Sequence, residues 1–444
     1  MRLYIGVLLM LNVLIANDAI TLEKAIQKVK QHNIELSIAH FDEHIKAYEH
    51  KIAQGNAYGS LDLSQTALRS NDALSVFGFK LQSREARFAD FGFKQFDGVN
   101  DAIAPTDLNY PQDRNHFQTT LAYTLPLYSG GKIEHYTQIT KALQTLSALE
   151  KEELLAQKIF ELKKSFYAIS LLNVYLKHLK TMAHNTASLE KTTHAMFEEG
   201  YVKHVDVLEV QVRLSDIERQ ITQAQANQTL LYHFVSFLIN EPITSIEGSY
   251  EDAMTMIDVE ENDTQTIEIQ KAQKGVEISQ MNMALHESHF LPHIDAFAQY
   301  GSGSDSLFKD FSKNDAYTVG IQLRWNLFKG GSDTYNLEKA RVENLKAQQQ
   351  LLLAQKSVDL HVKQMQTQIH NYDAHIQSLK KEVDLAHRIY ENYAGRYAQK
   401  LVSINDVMMK QSAELAKILS LKEVQNARNE TIFALEKLIH KETK

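Results

Sequence analysis

Between residues 362 and 393, apolar side chains recur in alternating steps of three and four: Val362, Met365, Ile369, Tyr372, Ile376, Leu379, Val383, Ala386, Tyr390 and Tyr393. That 3.5-residue period predicts a helix packed in coiled-coil fashion. Leu155, Ile159, Leu162, Phe166, Ile169, Leu176 and Leu179 follow the same rule. Elsewhere the period is two. Tyr317, Val319, Ile321, Leu323, Trp325 and Leu327 alternate with Thr318, Gly320, Gln322, Arg324 and Asn326, which predicts a strand over 317–327. Phe117, Leu121, Tyr123, Leu125 and Leu127 set against Gln118, Thr120 and Thr124 predict a second strand. Weaker strand patterns lie at 58–68 and 292–301.

The placement of helix breakers extends this reading. The five prolines are Pro105, Pro111, Pro126, Pro242 and Pro292. The stretches 132–199, 201–241, 332–394 and 396–444 contain neither proline nor glycine. Proline breaks a helix interior and glycine weakens it, so such stretches permit very long helices. At 1.5 Å per residue, 132–199 would extend about 100 Å. Gly200 and Gly395 are the single interruptions, and the arms are expected to fold back near them as antiparallel hairpins.

The chain also repeats itself. From about 117 to 240, a second copy lies 200 residues later: Leu127-Tyr128-Ser129-Gly130-Gly131 matches Leu327-Phe328-Lys329-Gly330-Gly331, and Asp206-Val207 matches Asp406-Val407. Upstream the offset becomes 233, as in Leu61-Asp62 against Ile294-Asp295, so the first copy carries an insertion of 33 residues between about 69 and 116. The expected organisation is a signal peptide over 1–19, a first repeat over 20–240, a connecting segment over 241–265 and a second repeat over 266–444. Each repeat reads helix, strand, loop, strand, long helix, turn, helix.

Composition narrows the function. Cysteine is absent, which excludes disulfides, thiolate metal sites and a lipidated N-terminal Cys. A net charge of -8 argues against nucleic acid as a partner. Met1-Arg2 followed by the apolar run Leu3–Ile15 has the form of a secretory signal, with Ala16 or Ala19 before the cut. No nucleotide-binding loop, catalytic triad or paired-carboxylate motif is legible, so neither enzyme activity nor a cofactor is expected. An exported chain with four strands of about ten residues presents an arithmetic problem. An open four-stranded sheet leaves unpaired edges that a bilayer does not tolerate. Three copies supply twelve strands, which closes a barrel. The expected fold is therefore mainly helical with membrane β: a tandem repeat of long coiled-coil helices, with four strands per chain contributing to a trimeric twelve-stranded barrel.

Local motifs then point to a family. They are Ile20-Thr21-Leu22-Glu23-Lys24-Ala25-Ile26, Phe290-Leu291-Pro292, the two strand-to-helix junctions ending in Gly130-Gly131 and Gly330-Gly331, and Lys400-Leu401-Val402-Ser403 with Asn405-Asp406-Val407. Together with the layout, they make the chain resemble the TolC family of outer-membrane efflux proteins, in its unlipidated branch. The resemblance implies a passive exit duct of a tripartite efflux pump or type I secretion system, located in the outer membrane, its twelve-stranded barrel continued by a long α-helical coiled-coil barrel in the periplasm. The implied partners are two further copies of the chain, a periplasmic adaptor, an inner-membrane pump and outer-membrane lipid. It places the adaptor contacts at the hairpin tips: Gly200, Tyr201, Val202 and Lys203 in one, Leu401, Val402 and Ser403 in the other. It also implies a periplasmic gate, with Tyr397 and Asp206 matching a Tyr–Asp link and Asp406 an acidic ring; the family's arginine partner falls at Val402 here.

Two bland readings stand beside these. Asp206 and Asp406 each follow a tip, where a carboxylate is favoured as a helix cap. The alternative to a duct is an exported coiled-coil scaffold, or a metal-binding protein. His286, His289 and His293 offer three metal ligands in a short span, and His40 and His44 stand one helical turn apart. Within the insertion, Phe77-Gly78-Phe79 and Phe91-Gly92-Phe93 are expected to pack an enlarged outer loop or to join an aromatic girdle.

Overall fold

A computed structural model describes residues 19–248, 265–399 and 401–439. The signal-like segment up to residue 18, most of the connecting segment and Lys400 lie outside the described residues. The chain is mainly helical with one small antiparallel sheet. Helix α1 (Leu22–His32) begins at Thr21, whose hydroxyl accepts the Lys24 N–H at 3.3 Å. Asn33 separates it from α2 (Ile34–Gly55). The buried Asn33 amide donates to the Leu238 carbonyl at 2.8 Å and accepts the Leu36 N–H at 3.0 Å, so one side chain ties the break to a distant helix and caps α2. Strand β1 (Ser60–Ser70) follows, then the insertion with α3 (Ala73–Gln82) and α4 (Thr106–Asn109), then β2 (Arg114–Tyr128).

The long helices are as the breaker pattern requires. They are α5 (Lys132–Glu198) and α6 (His204–Ile239) in the first repeat; α7 (Ile267–Glu287), β3 (His293–Ser304), β4 (Asp315–Arg324), α8 (Ser332–Ala398) and α9 (Ile404–Ile439) complete the second. Helices α5 and α8 are both 67 residues long and α6 and α9 both 36, each pair beginning 200 residues apart. The repeat is thus structural as well as sequential. Two expectations fail in detail. Gly395 does not break its helix, because α8 runs through it to Ala398 and α9 begins only at Ile404. The alternation of β4 continues on paper to Leu327, but the strand ends at Arg324. Its last partner is His293, immediately after Pro292, and a proline has no N–H to continue a ladder. Trp325 instead donates its indole N–H to the Phe290 carbonyl at 3.0 Å.

The chain divides into two compact units. One comprises 44–145 and 274–349 and holds the whole sheet. The strands run in the order β1-β2-β3-β4, all neighbours antiparallel, leaving β1 and β4 as open edges. The other unit comprises the described parts of 1–43, 146–273 and 350–444. Its largest cluster joins Leu162, Phe166 and Ile169 of α5 to Val235, Leu238 and Ile239 of α6 and to Ala25 and Val29 of α1. A second cluster pairs Ile369 of α8 with Ile432, Leu435 and Ile439 of α9. In α8, the positions of the 3.5-residue stripe from Val362 to Tyr393 are all buried or half-buried, as a coiled-coil seam demands. Lys163 and Glu436 form a nearly buried ion pair at 2.7 Å between α5 and α9. No described helix is long and apolar enough to cross a membrane.

Candidate functional site

Two places carry the chemistry that the sequence singles out: the sheet and the hairpin tips. In the sheet, the pairing register sorts side chains onto two faces. One row runs Leu61, Tyr123, Ala298, Val319; the next runs Leu63, Leu121, Tyr300, Tyr317. Leu125, Ala296 and Ile321 extend the same face. The opposite face reads Asp62, Ala122, Gln299, Thr318 and then Ser64, Thr120, Gly301, Ala316. Because side chains alternate strictly along a strand, the in-register sheet gathers an apolar band on one face, ending at the polar row Gln65, Thr119, Ser302, Asp315, and sets a mostly polar face behind it. The apolar wall is exposed within the single chain; Tyr317, Val319 and Ile321 are each more than half accessible.

The tips resemble each other. At the end of α5, the Tyr201 N–H donates to the Met196 carbonyl at 2.8 Å and the Gly200 N–H to that of Phe197 at 2.9 Å. Gly200 has φ +76°, the left-handed conformation that this helix stop favours and that glycine adopts without strain. At the end of α8, the Leu401 N–H donates to Arg396 at 3.0 Å in the same pattern. Tyr201 and Leu401 stand exposed at the two turns, with Val202 and Val402 half-buried beside them. Lys203 and Ser403 are exposed and precede the following helices.

Both aspartates cap. The Asp206 carboxylate accepts the Lys203 N–H at 2.8 Å. The Asp406 carboxylate accepts the Ser403 N–H at 3.1 Å and its hydroxyl at 2.6 Å, and the Asp406 N–H returns a bond to that hydroxyl. That is a reciprocal capping box, and the Ser403 hydroxyl and N–H hold the Asp406 carboxyl below its usual range. Tyr397 lies half-buried in the last turn of α8, where burial raises its hydroxyl pKa. Among the described residues, no hydrogen bond joins Tyr397 to Asp206 within the chain. A link that sequence reasoning missed lies nearby: Arg213 of α6 donates to the Ser412 hydroxyl of α9 and pairs with Asp216 at 3.7 Å. It ties the two hairpins, and neither residue belongs to a recognisable pattern.

The histidines do not converge. His286 and His289 meet edge to face with ring centroids 5.7 Å apart, while His293 turns to Asp295 at 2.8 Å. His40 faces Glu43 at 4.0 Å. Among the described residues, no group of three or more His, Cys, Asp or Glu could hold a metal ion. The insertion is more ordered than the loop expected of it. Phe77 packs edge-on to Phe91 at 5.0 Å, Phe88 meets Phe93 at 5.7 Å, and Lys80 pairs with Asp90 at 2.7 Å.

Comparison with known proteins agrees with this architecture. Residues 264–439 match the family described as Outer membrane efflux protein. The outer membrane protein VceC of Vibrio cholerae is similar over 95% of this chain and 97% of its own, with a TM-score of 0.77 at 15% identity. The CmeC outer membrane channel of Campylobacter jejuni is similar over 94% and 85%, with a TM-score of 0.74 at 14% identity. The MtrE outer membrane channel of Neisseria gonorrhoeae, solved in its open state, is similar over 95% and 89%, with a TM-score of 0.74 at 13% identity. No curated protein sequence matches. The second repeat thus matches an outer membrane efflux protein domain, and the chain as a whole has the fold of these solved outer-membrane channels.

Proposed function

We propose that the chain is a passive exit duct of the outer membrane, serving a tripartite efflux pump or type I secretion system through a periplasmic adaptor and an inner-membrane transporter. The observation that carries this reading is the sheet, with a band of three apolar rows on one face, a mostly polar opposite face and two open edges. An apolar wall of this size suits lipid, and a polar wall suits a water-filled conduit. The open edges of β1 and β4 leave backbone groups unpaired, which costs several kcal/mol each inside a bilayer. Pairing β4 of one chain with β1 of the next removes them, and three chains close a twelve-stranded barrel. Native mass in detergent should correspond to three chains, and the purified protein should conduct ions in planar bilayers. A monomer in every detergent, with no conductance, would overturn the duct.

The tips are proposed as the adaptor contacts. Replacing Val202 and Val402 together by Asp puts charge into an apolar contact. Dye efflux in cells should collapse while the amount of trimer stays normal; unimpaired efflux would remove the tips from the adaptor interface.

Tyr397 and Asp206 are proposed as the periplasmic gate, acting between adjacent coiled coils. A carboxylate accepts several hydrogen bonds, so the Lys203 cap leaves Asp206 able to take a tyrosine hydroxyl as well. Each such bond contributes on the order of 1.5–3 kcal/mol, and three of them bias a two-state entrance toward closed. Tyr397→Phe removes the hydroxyl alone. Resting conductance should rise in this variant with trimer stability unchanged. If conductance equals that of the parent while Asp206→Ala is merely less stable, the aspartate is a cap and nothing more.

A further inference from the structure

The insertion in the first repeat joins the ends of β1 and β2 that lie away from the long helices, so in the duct it sits at the outer mouth. The register decides on which side of the wall. Arg114 and His116 lie on the polar face of β2, and Gly301 and Gly303 lie on the polar face of β3. Helix α3 packs on that face. The Phe79 ring lies flat on the His116 imidazole, with centroids 4.2 Å apart and planes 5° from parallel. Beneath it the wall is thinned to make room: a Cβ at Gly303 would fall 2.6 Å from His116 Cε1 and 3.4 Å from Gln82 Cβ. His116 is wholly buried as a result. Polar contacts lock the end of the helix in place. Arg114 donates to the Ser83 hydroxyl at 2.9 Å and pairs with Glu85, and Arg84 reaches across to the Asp315 carbonyl of β4 at 2.6 Å.

We propose that α3 is a constriction inside the outer mouth of the conduit, with Leu74, Gly78 and Leu81 forming the surface that exported solutes must pass. This rests on the duct reading above. Val76 and Phe79 face the wall, and Val76 is buried. Leu74, Gly78 and Leu81 fall at i, i+4 and i+7, on one stripe of the helix. Leu74 is 81% and Leu81 50% accessible, and a Cβ at Gly78 would meet nothing within 4 Å. With the wall behind it, this stripe looks into the channel. Threefold symmetry brings three such stripes toward one axis, so apolar side chains that one chain leaves in water gain partners in the assembly. The constriction is apolar with a glycine at its centre, so it selects by size and hydration rather than by charge.

Bilayer recordings test this on three variants. Gly78→Lys and Gly78→Glu introduce opposite charges where the structure has open space, so both should fold. In a salt gradient, the reversal potential should move toward anion selectivity for Lys and toward cation selectivity for Glu. Gly78→Cys in this cysteine-free chain should be blocked by a bulky thiol reagent added from the outer side, whereas Val319→Cys on the lipid face should not. If the parent conducts but the Gly78 variants keep its reversal potential and the cysteine variant is not blocked, α3 lies outside the path and the constriction is withdrawn while the duct stands. If the parent itself never conducts, the duct reading falls and the constriction falls with it.

Discussion

Arginine at position 321 is expected to prevent recovery of the folded oligomer from the membrane. Ile321 sits in the middle of β4, paired with Ala296, on the apolar wall. In the proposed duct this face meets lipid, where a charged residue near the bilayer midplane costs about 2–4 kcal/mol, and three symmetry-related chains would incur that three times over. Its neighbour Gln322 lies on the polar wall, opposite Asp295. Gln322→Arg therefore places the same charge one residue away at little cost. Heat-resistant oligomer on a denaturing gel, with unfolding from vesicles as a second measure, separates the two. Normal assembly of Ile321→Arg together with failure of Gln322→Arg would mean that the two faces are assigned the wrong way round. Equal, undisturbed assembly of both would mean that neither face meets lipid.

Truncating Phe166 should be the most damaging change in the helical unit. The side chain is fully buried among Leu162, Ile169, Val235, Leu238 and Ile239, and the cluster ties α5 to α6 and α1. Phe→Ala in a packed core costs about 3–5 kcal/mol, from lost transfer free energy and the cavity left behind. Against a typical stability of about 5–15 kcal/mol, that is a large share. The denaturant midpoint should fall with little change in slope. A shift worth less than about 1 kcal/mol would show that the site collapses around the smaller side chain, or that this cluster does not limit the unfolding of its unit.

The two results probe different kinds of information. Periodicity is a local property of the chain, and it determined the long elements before any contact was known. The 3.5-residue stripe through Ile369, Ile376 and Leu379 marked the buried seam of α8, and the absence of proline and glycine over 132–199 marked α5 almost to the residue. The offset of 200 residues determined that α5 and α8, and α6 and α9, begin at corresponding positions. Strict alternation in β4 was enough to divide its residues into two faces.

What depends on a partner was decided only by tertiary structure. The alternation of β4 runs on through Trp325 and Leu327, but a strand exists only where a neighbour bonds to it, and pairing stops at His293. Gly395 looks like a break and is helical, because a single glycine weakens a helix without ending it when the seam on either side is packed. Asp206 and Asp406 could be read from sequence as caps or as gate residues; the 2.8 Å bond to the Lys203 N–H and the Ser403 box are local geometry that a spacing of three permits but does not require. The insertion shows the limit most clearly. Nothing periodic in residues 69–116 indicates on which face of the sheet α3 would lie. That follows from the stacking of Phe79 on His116 and from the space left by Gly303, two contacts across the fold between residues 37 and 187 positions apart, whose energy depends on their meeting in three dimensions.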